Sequence, residues 1–464
     1  MKIKRLWQLI KEALNSGEER SYTTGSIDKA IVLLSIPMVL EMVMESLFAL
    51  VDAYFVAQIS AGAVATVGLT ETIVTLVYAV GIGISTAPVA MISRYIGEGD
   101  QAAASRAAKQ AIYLSIVVSV VIGVAGWIMA EDILRMMGGS EELVAAGAGY
   151  PRIVFGSNIV IMLLFLLNGI FRGAGDANYA MRALWIANGI NIVLDPIFIF
   201  GLGPIPAMGV EGAAIATTIG RGTGVAYQLY ILTSGRSKIN LRLGDWRPDW
   251  SVIKKLSNIA FTGATQYVIA SASWIFLMRI NAGFGDDAVA GYTIAIRLII
   301  FTLLPAWGLS NATATLVGQN LGAHQPERAE QSVWRAARFT LYYMLVMTAL
   351  YLLLAPFMIS VFSQEAPVVE AGVTALYIFA IGYSFYGYGM VCVQAFNGAG
   401  DTRTPTYINL LCFWVMEIPL GYLLGAHLGW GVAGVTTAVV LSESAMALLA
   451  IVLFRRGRWK LIEL

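Results

Sequence analysis

Charge is scarce in this sequence, and so are the residues that most often carry chemistry. Only 13% of its 464 residues are Asp, Glu, Lys or Arg, against about a quarter in soluble domains. Lys and Arg number 30 and Asp and Glu 29, a formal net charge of +1. That balance excludes a basic surface for nucleic acid and an acidic tail. His324 and His427 are the only histidines and share no ligand spacing, which argues against a histidine-bound metal. Cys392 and Cys412, the only cysteines, both fall in apolar runs and read as small core residues rather than a disulfide or metal pair. There is no Walker glycine loop, so ATP is not the expected energy source. Nor is a cleavable signal peptide visible: Met1 to Ser26 is polar and basic, and the first apolar run is a full span.

What the chain has in abundance is apolar length. Hydrophobic residues make up 58% of it, and the mean hydropathy is +0.72. Runs long enough to cross a bilayer stand near 28–57, 61–92, 102–130, 141–171, 178–201 and 208–234, then 252–281, 287–317, 327–357, 366–396, 403–426 and 430–455. The expectation is an all-α polytopic membrane protein of twelve helices. Residues 1–27 read as an amphipathic N-terminus, 28–234 as a first six-helix lobe, and 235–251 as a connector. Residues 252–455 form the second lobe and 456–464 a tail. Lys2, Lys4, Arg5, Arg94, Arg106, Arg172, Arg242, Arg247, Arg328, Arg403 and Arg455 collect on one side, while Arg135 and Arg279 lie on the other. Positive residues stay inside, so both termini, the connector and the tail are expected in the cytoplasm.

The lobes repeat. Ala63-Val-Ala65 returns as Ala288-Val-Ala290, an offset of 288 − 63 = 225, and Gly173-Ala-Gly-Asp176 returns as Gly398-Ala-Gly-Asp401 at the same offset. Six spans per copy leave both copies facing the same way, related by a pseudo-two-fold axis along the membrane normal. Two like-facing lobes with a cleft between them form a transporter architecture. The two glycine–aspartate motifs read as helix corners. The alternative, an intramembrane aspartyl protease, is disfavoured because the motif occurs in both copies at a predicted boundary.

The first span carries the anomaly. Glu41, Glu45 and Asp52 lie within about 40° of one another round the helix, over a rise of roughly 16 Å. Each acid near a membrane-helix centre costs about 2.5–3.5 kcal/mol on insertion scales. The stripe must therefore face water, polar groups, an ion or charged neighbours such as Arg221. At the repeat offset these acids meet Gln266, Ala270 and Leu277, and Asp195 meets Leu420. The deep acids belong to the first copy alone, which places ion coupling there. Asn191 and Asp195, one turn apart, offer oxygen atoms for Na⁺ or a carboxylate for a proton; the rival reading is an Asp-Pro helix end. Pro37, four residues before the stripe, is a ready hinge or a fixed kink.

These features resemble the MATE (multidrug and toxic compound extrusion) family. Pro37 stands fifteen residues before Asp52, followed by Arg172-Gly-Ala-Gly-Asp176, Asn191-Ile-Val-Leu-Asp195-Pro-Ile-Phe, Gly212-Ala-Ala-Ile-Ala-Thr217 and Glu417-Ile-Pro-Leu-Gly-Tyr422. The likeness runs in order over nearly the whole chain and looks closest to the DinF-like branch. It implies a cation site of Asp52, Asn191, Asp195, Thr217 and Tyr150, where Na⁺ would take the first four as ligands, and a bending role for Pro37. The other main branch keeps acids where this chain has Ala270 and Tyr386. A substrate cavity is expected around Glu41, Met42, Glu45, Asn168, Asn188 and Arg221. Glu45 and Arg221 replace uncharged residues usual in the family, and Phe48 replaces a frequent tyrosine, which makes this cavity more polar than the norm. The implied activity is export of amphipathic organic compounds against Na⁺ or H⁺ by alternating access. No cofactor, nucleic acid or obligate protein partner is expected, and the expected state is a multi-pass monomer among the lipids of a prokaryotic inner membrane. A flippase for lipid-linked intermediates shares the superfamily fold; the acidic stripe disfavours it.

Overall fold

The structure, a computed structural model, describes residues 2–15, 21–241 and 246–464. Residues 16–20 of the expected N-terminal segment and 242–245 of the connector, Arg242 among them, lie outside the described residues. Everything else of consequence is helix, with only an isolated bridge between Leu202 and Ile205 among the described residues. The first half holds α1 (Lys2–Leu14), α2 (Ile27–Ala57), α3 (Ala61–Glu98), α4 (Gln101–Ile128) and the short α5 (Ala130–Met136), α6 (Glu141–Gly147) and α7 (Gly149–Gly156). It continues through α8 (Asn158–Ala174), α9 (Ala177–Phe200) and α10 (Gly209–Ser234). The second half holds α11 (Trp250–Ala282), α12 (Asp286–Gly322), α13 (Pro326–Ser360), α14 (Ala366–Ala399), α15 (Arg403–Asn409), α16 (Ile418–Tyr422) and α17 (Gly431–Arg455).

Among the described residues nine helices are long and apolar enough to cross a membrane, and the pair α7 and α8 makes a tenth. The polar-bearing α10 and α11, 26 and 33 residues long, complete twelve membrane helices in two sets of six. The fourth span is not one straight helix over 141–171. It breaks into α6, α7 and α8, with a bend of 41° between the last two. At that bend Ser157 turns its hydroxyl onto the Ile153 carbonyl at 2.7 Å, a back-bond that competes with the helix ladder. The eleventh span also departs from a plain α-helix: Leu410–Glu417 and Leu423–His427 are π-helical on either side of α16. Pro419, which has no N–H to give, interrupts the ladder between them.

The chain divides into two compact units, Met1–Arg20 with Leu40–Ala264, and Ser21–Val39 with Thr265–Leu464. The breaks fall inside α2 and α11 and obey the repeat, since 265 − 40 = 225. In the first unit a Cβ on Gly83 of α3 would stand 2.3 Å from Ala264 Cα. In the second, one on Gly308 of α12 would stand 2.8 Å from the Met38 carbonyl carbon. Both contacts are backbone-close and equivalent in the two copies. The glycine corners repeat as well: Gly175 and Gly400 end α8 and α14 in the left-handed region, φ 80° and 88°. Asp401 then takes hydrogen bonds from the Thr404 N–H and hydroxyl, at 3.2 and 2.6 Å. Asp176 does not cap α9. It holds the connector instead, accepting from Ser237 Oγ at 2.6 Å and the Lys238 N–H at 3.1 Å. The two aspartates thus serve different local structures, Asp401 its own corner and Asp176 the connector. Cys392 and Cys412 are buried and unpaired.

Candidate functional site

The site in the first unit begins with glycines. A Cβ on Gly212 would lie 2.4 Å from the Phe198 carbonyl oxygen, and one on Gly220 2.6 Å from that of Ala187. Small residues at these steps let α10 close against α9 at backbone distance, as membrane helices commonly do. Thr217, between the two glycines, is thereby set beside Asn191. The Asn191 amide donates to Thr217 Oγ1 and to Asp195 Oδ1, each at 3.1 Å. Asp195 is completely buried and Asn191 nearly so. Asn191 Oδ1 and Asp195 Oδ2 receive no hydrogen bond from the described residues. Buried oxygen lone pairs without donors are costly, and a cation or a proton satisfies them.

Thr217 also forms one wall of a cavity of about 60 Å³. Asp52, Tyr150, Glu71, Tyr78, Ser157 and Thr218 line it too. This is room for a few waters or an ion with part of its shell, far below the several hundred Å³ of a drug-sized pocket. Asp52 lies within electrostatic reach of Asp195 and of Arg221. One turn beyond each acid, Val56 and Ile199 share an apolar cluster with Tyr150. All five residues expected at the cation site therefore meet in one place. Glu71 was legible only as one more intramembrane charge, and Tyr78, Ser157 and Thr218 carried no signal of their own. The Gly156-Ser157 step and the Thr217-Thr218 pair are what would have drawn attention to the last two.

The expected cavity residues form a second, adjoining network. Arg221 is 2% exposed and pairs with Glu45 at 3.1 Å. Its guanidinium lies 5.2 Å from the Phe48 ring centre and 5.5 Å from that of Tyr78, cation–π distances in a desolvated setting. Glu45 accepts a further hydrogen bond from Asn188 at 3.3 Å. Glu41 turns inward: it forms an ion pair with Arg172, accepts from Asn168 at 3.1 Å, and retains 1% exposure. Asn168 in turn accepts from Gln228. Pairing with α8, α9 and α10 thus draws Glu41, Asn168 and Asn188 into the helix packing. Met42 is half-buried, and Pro37 is buried within an uninterrupted α2.

Against known proteins, the MatE family profile matches residues 37–197 and again 259–423, once in each half. The chain belongs to the MatE family. Its members are transporters, not enzymes. The probable multidrug resistance protein NorM of Thermotoga maritima is 25% identical to this MatE chain over 435 residues, 94% of this chain and 93% of that one. The FAD transporter of Shewanella oneidensis is 26% identical over 439 residues, 93% and 95% of the two chains. A solved MOP superfamily transporter from Pyrococcus furiosus, described by a binding pocket of reversed polarity, superposes with a TM-score of 0.89 at 26% identity. That alignment covers 96% of this chain and all of the other. Both MatE matches lie on the two helix sets built by the 225-residue repeat.

Proposed function

We propose that this MatE chain is a secondary antiporter that exports amphipathic organic compounds in exchange for Na⁺ or H⁺, with the coupling ion held in its first unit by Asp52, Asn191, Asp195, Thr217 and Tyr150. The single observation that carries the reading is the buried oxygen cluster with two unsatisfied acceptors beside a cavity of ionic size. A Na⁺ ion would be neutralised by carboxylate charge and coordinated by amide and hydroxyl oxygens; a proton would be held by either carboxylate. The placement of this site on α2, α9 and α10 supports the DinF-like branch. Relatives named for multidrug resistance support amphipathic drugs as the substrate class. The basic loops support a plasma-membrane monomer with both termini in the cytoplasm. Dye transport in proteoliposomes under separate Na⁺ and H⁺ gradients tests the whole reading. Export driven by neither gradient would overturn it.

Asn191, Asp195 and Thr217 are joined by shared hydrogen bonds, so substitutions among them are expected to be non-additive. Asn191→Ala, Thr217→Val and their combination should each weaken cation binding by a similar factor, because the first loss already opens the cluster. Calorimetric titration with Na⁺ is the measurement, and strictly additive losses would show independent groups.

Pro37 lies inside the continuous α2, where its missing N–H removes one backbone hydrogen bond a turn before Glu41. Two shapes of such a helix can lie close in energy when neighbours satisfy the freed carbonyl. Pro37→Ala is expected to retain substrate and cation affinity while slowing exchange severalfold. A wild-type transport rate would make Pro37 scaffolding.

A further inference from the structure

We infer that the first unit carries a binding site for the headgroup of an anionic phospholipid, formed where the connector is laced to the start of α4. This site is independent of the export reading. Arg106, Lys109 and Gln110 of α4, Arg247 and Asp249 of the connector and Trp250 at the start of α11 surround a cavity of about 510 Å³, the size range of small-ligand pockets. Arg106 and Arg247 set two exposed guanidinium groups in its wall beside Asp249. Asp249 is already engaged as it starts α11, accepting from the Ser251 hydroxyl at 2.6 Å and from the Ser251 and Val252 N–H groups. The Arg106 and Arg247 side chains form no ion pair among the described residues, and both are exposed.

The pocket is built rather than incidental. Gln110 is 3% exposed and clamps the connector from both amide ends, donating to the Arg247 carbonyl at 3.0 Å and accepting the Asp249 N–H at 3.2 Å. Tyr113 donates to the Trp246 carbonyl and packs edge-on against the indole. Lipid, rather than a free anion, follows from what α4 does next. Arg106, Gln110, Tyr113, Val117, Val121, Val124 and Ile128 follow one another at steps of three and four residues, a single face of the helix. The last four are exposed apolar side chains. A headgroup seated at Arg106 and Arg247 would therefore have its acyl chains along the same face, with Val117 roughly 16 Å further along the axis than Arg106. Trp250, 76% exposed, stands where interfacial tryptophans anchor at the headgroup level. Basic pockets at membrane-helix ends recognise anionic headgroups in this way.

The test is a titration of the purified full-length protein with short-chain phosphatidylglycerol and phosphatidylcholine, read by native mass spectrometry. The wild type is expected to prefer phosphatidylglycerol by about tenfold. Arg106→Gln with Arg247→Gln should abolish the preference, Arg106→Lys with Arg247→Lys should keep most of it, and Arg338→Gln, an exposed charge elsewhere, should leave it unchanged. Size-exclusion profiles and melting temperature establish that the variants fold. An undiminished preference in the double glutamine variant would overturn the site. Displacement of the lipid by millimolar inorganic phosphate would overturn the lipid assignment in favour of a free-anion site.

Discussion

Asp52→Asn is expected to yield a folded, normally expressed protein that no longer exports. The amide keeps the shape of the side chain in the wall it shares with Tyr150 and Thr217 but carries no charge and holds no exchangeable acid proton. Either coupling ion then loses its main electrostatic partner in a low-dielectric site. An interaction of about 3 kcal/mol with a charged group corresponds to roughly a hundredfold in flux. The repeat offers no substitute, because its equivalent position is the buried Leu277. Asp195→Asn tests the same site from α9 and should also uncouple, with a milder loss if Asp52 alone can still hold the ion. The measurements are drug resistance in cells and gradient-driven dye efflux in proteoliposomes, each normalised to protein amount. Wild-type resistance from Asp52→Asn would move coupling elsewhere in the chain.

The parts of the molecule that were legible in the sequence share a cause. Apolar runs of membrane length and a repeat in constant register are one-dimensional facts, so twelve helices in two sets can be counted from the sequence. The acid stripe was legible for the same reason, since a 3.6-residue period converts spacing into a face. Partner choice was only half legible. The sequence puts Arg221 within reach of the first-lobe acids, yet nothing in the spacing says that Glu45 takes it, with Phe48 and Tyr78 beneath the guanidinium. Nor did spacing reveal that Glu41 would be committed to Arg172. Those pairings depend on how α8, α9 and α10 pack, with Gly212 and Gly220 bringing α10 onto α9 and Gly169 and Gly173 bringing α8 onto α3. The bend at Ser157 has no sharp signal because 141–171 is mostly apolar across it, although Gly147, Gly149, Pro151 and Gly156 all weaken that run as a single helix. The π-helical turns around α16 have no composition signal beyond Pro419.

The buried pair of Glu41 and Arg172 should give the largest stability effect in the protein. Glu41 has 1% side-chain exposure and Arg172 15%. Removing one partner leaves the other as an uncompensated charge in the helix packing, which typically costs about 3–5 kcal/mol. Arg172→Leu is therefore expected to lower the apparent melting temperature on the order of 10 °C. Replacing both residues tells a different story, because a buried ion pair exchanged for apolar volume is often close to neutral. Glu41→Leu with Arg172→Leu should recover most of the loss. A residue of about 1 kcal/mol should persist, since the Asn168 amide loses Glu41 as its acceptor. Melting followed by size-exclusion chromatography supplies the four corners of the cycle. If the double variant is as unstable as Arg172→Leu, the two side chains do not act as a unit and Arg172 is held by other groups. Dye efflux from the double variant then separates packing from transport. Restored melting with restored efflux makes the pair structural, whereas restored melting without efflux gives the Glu41 charge a part in the transport cycle.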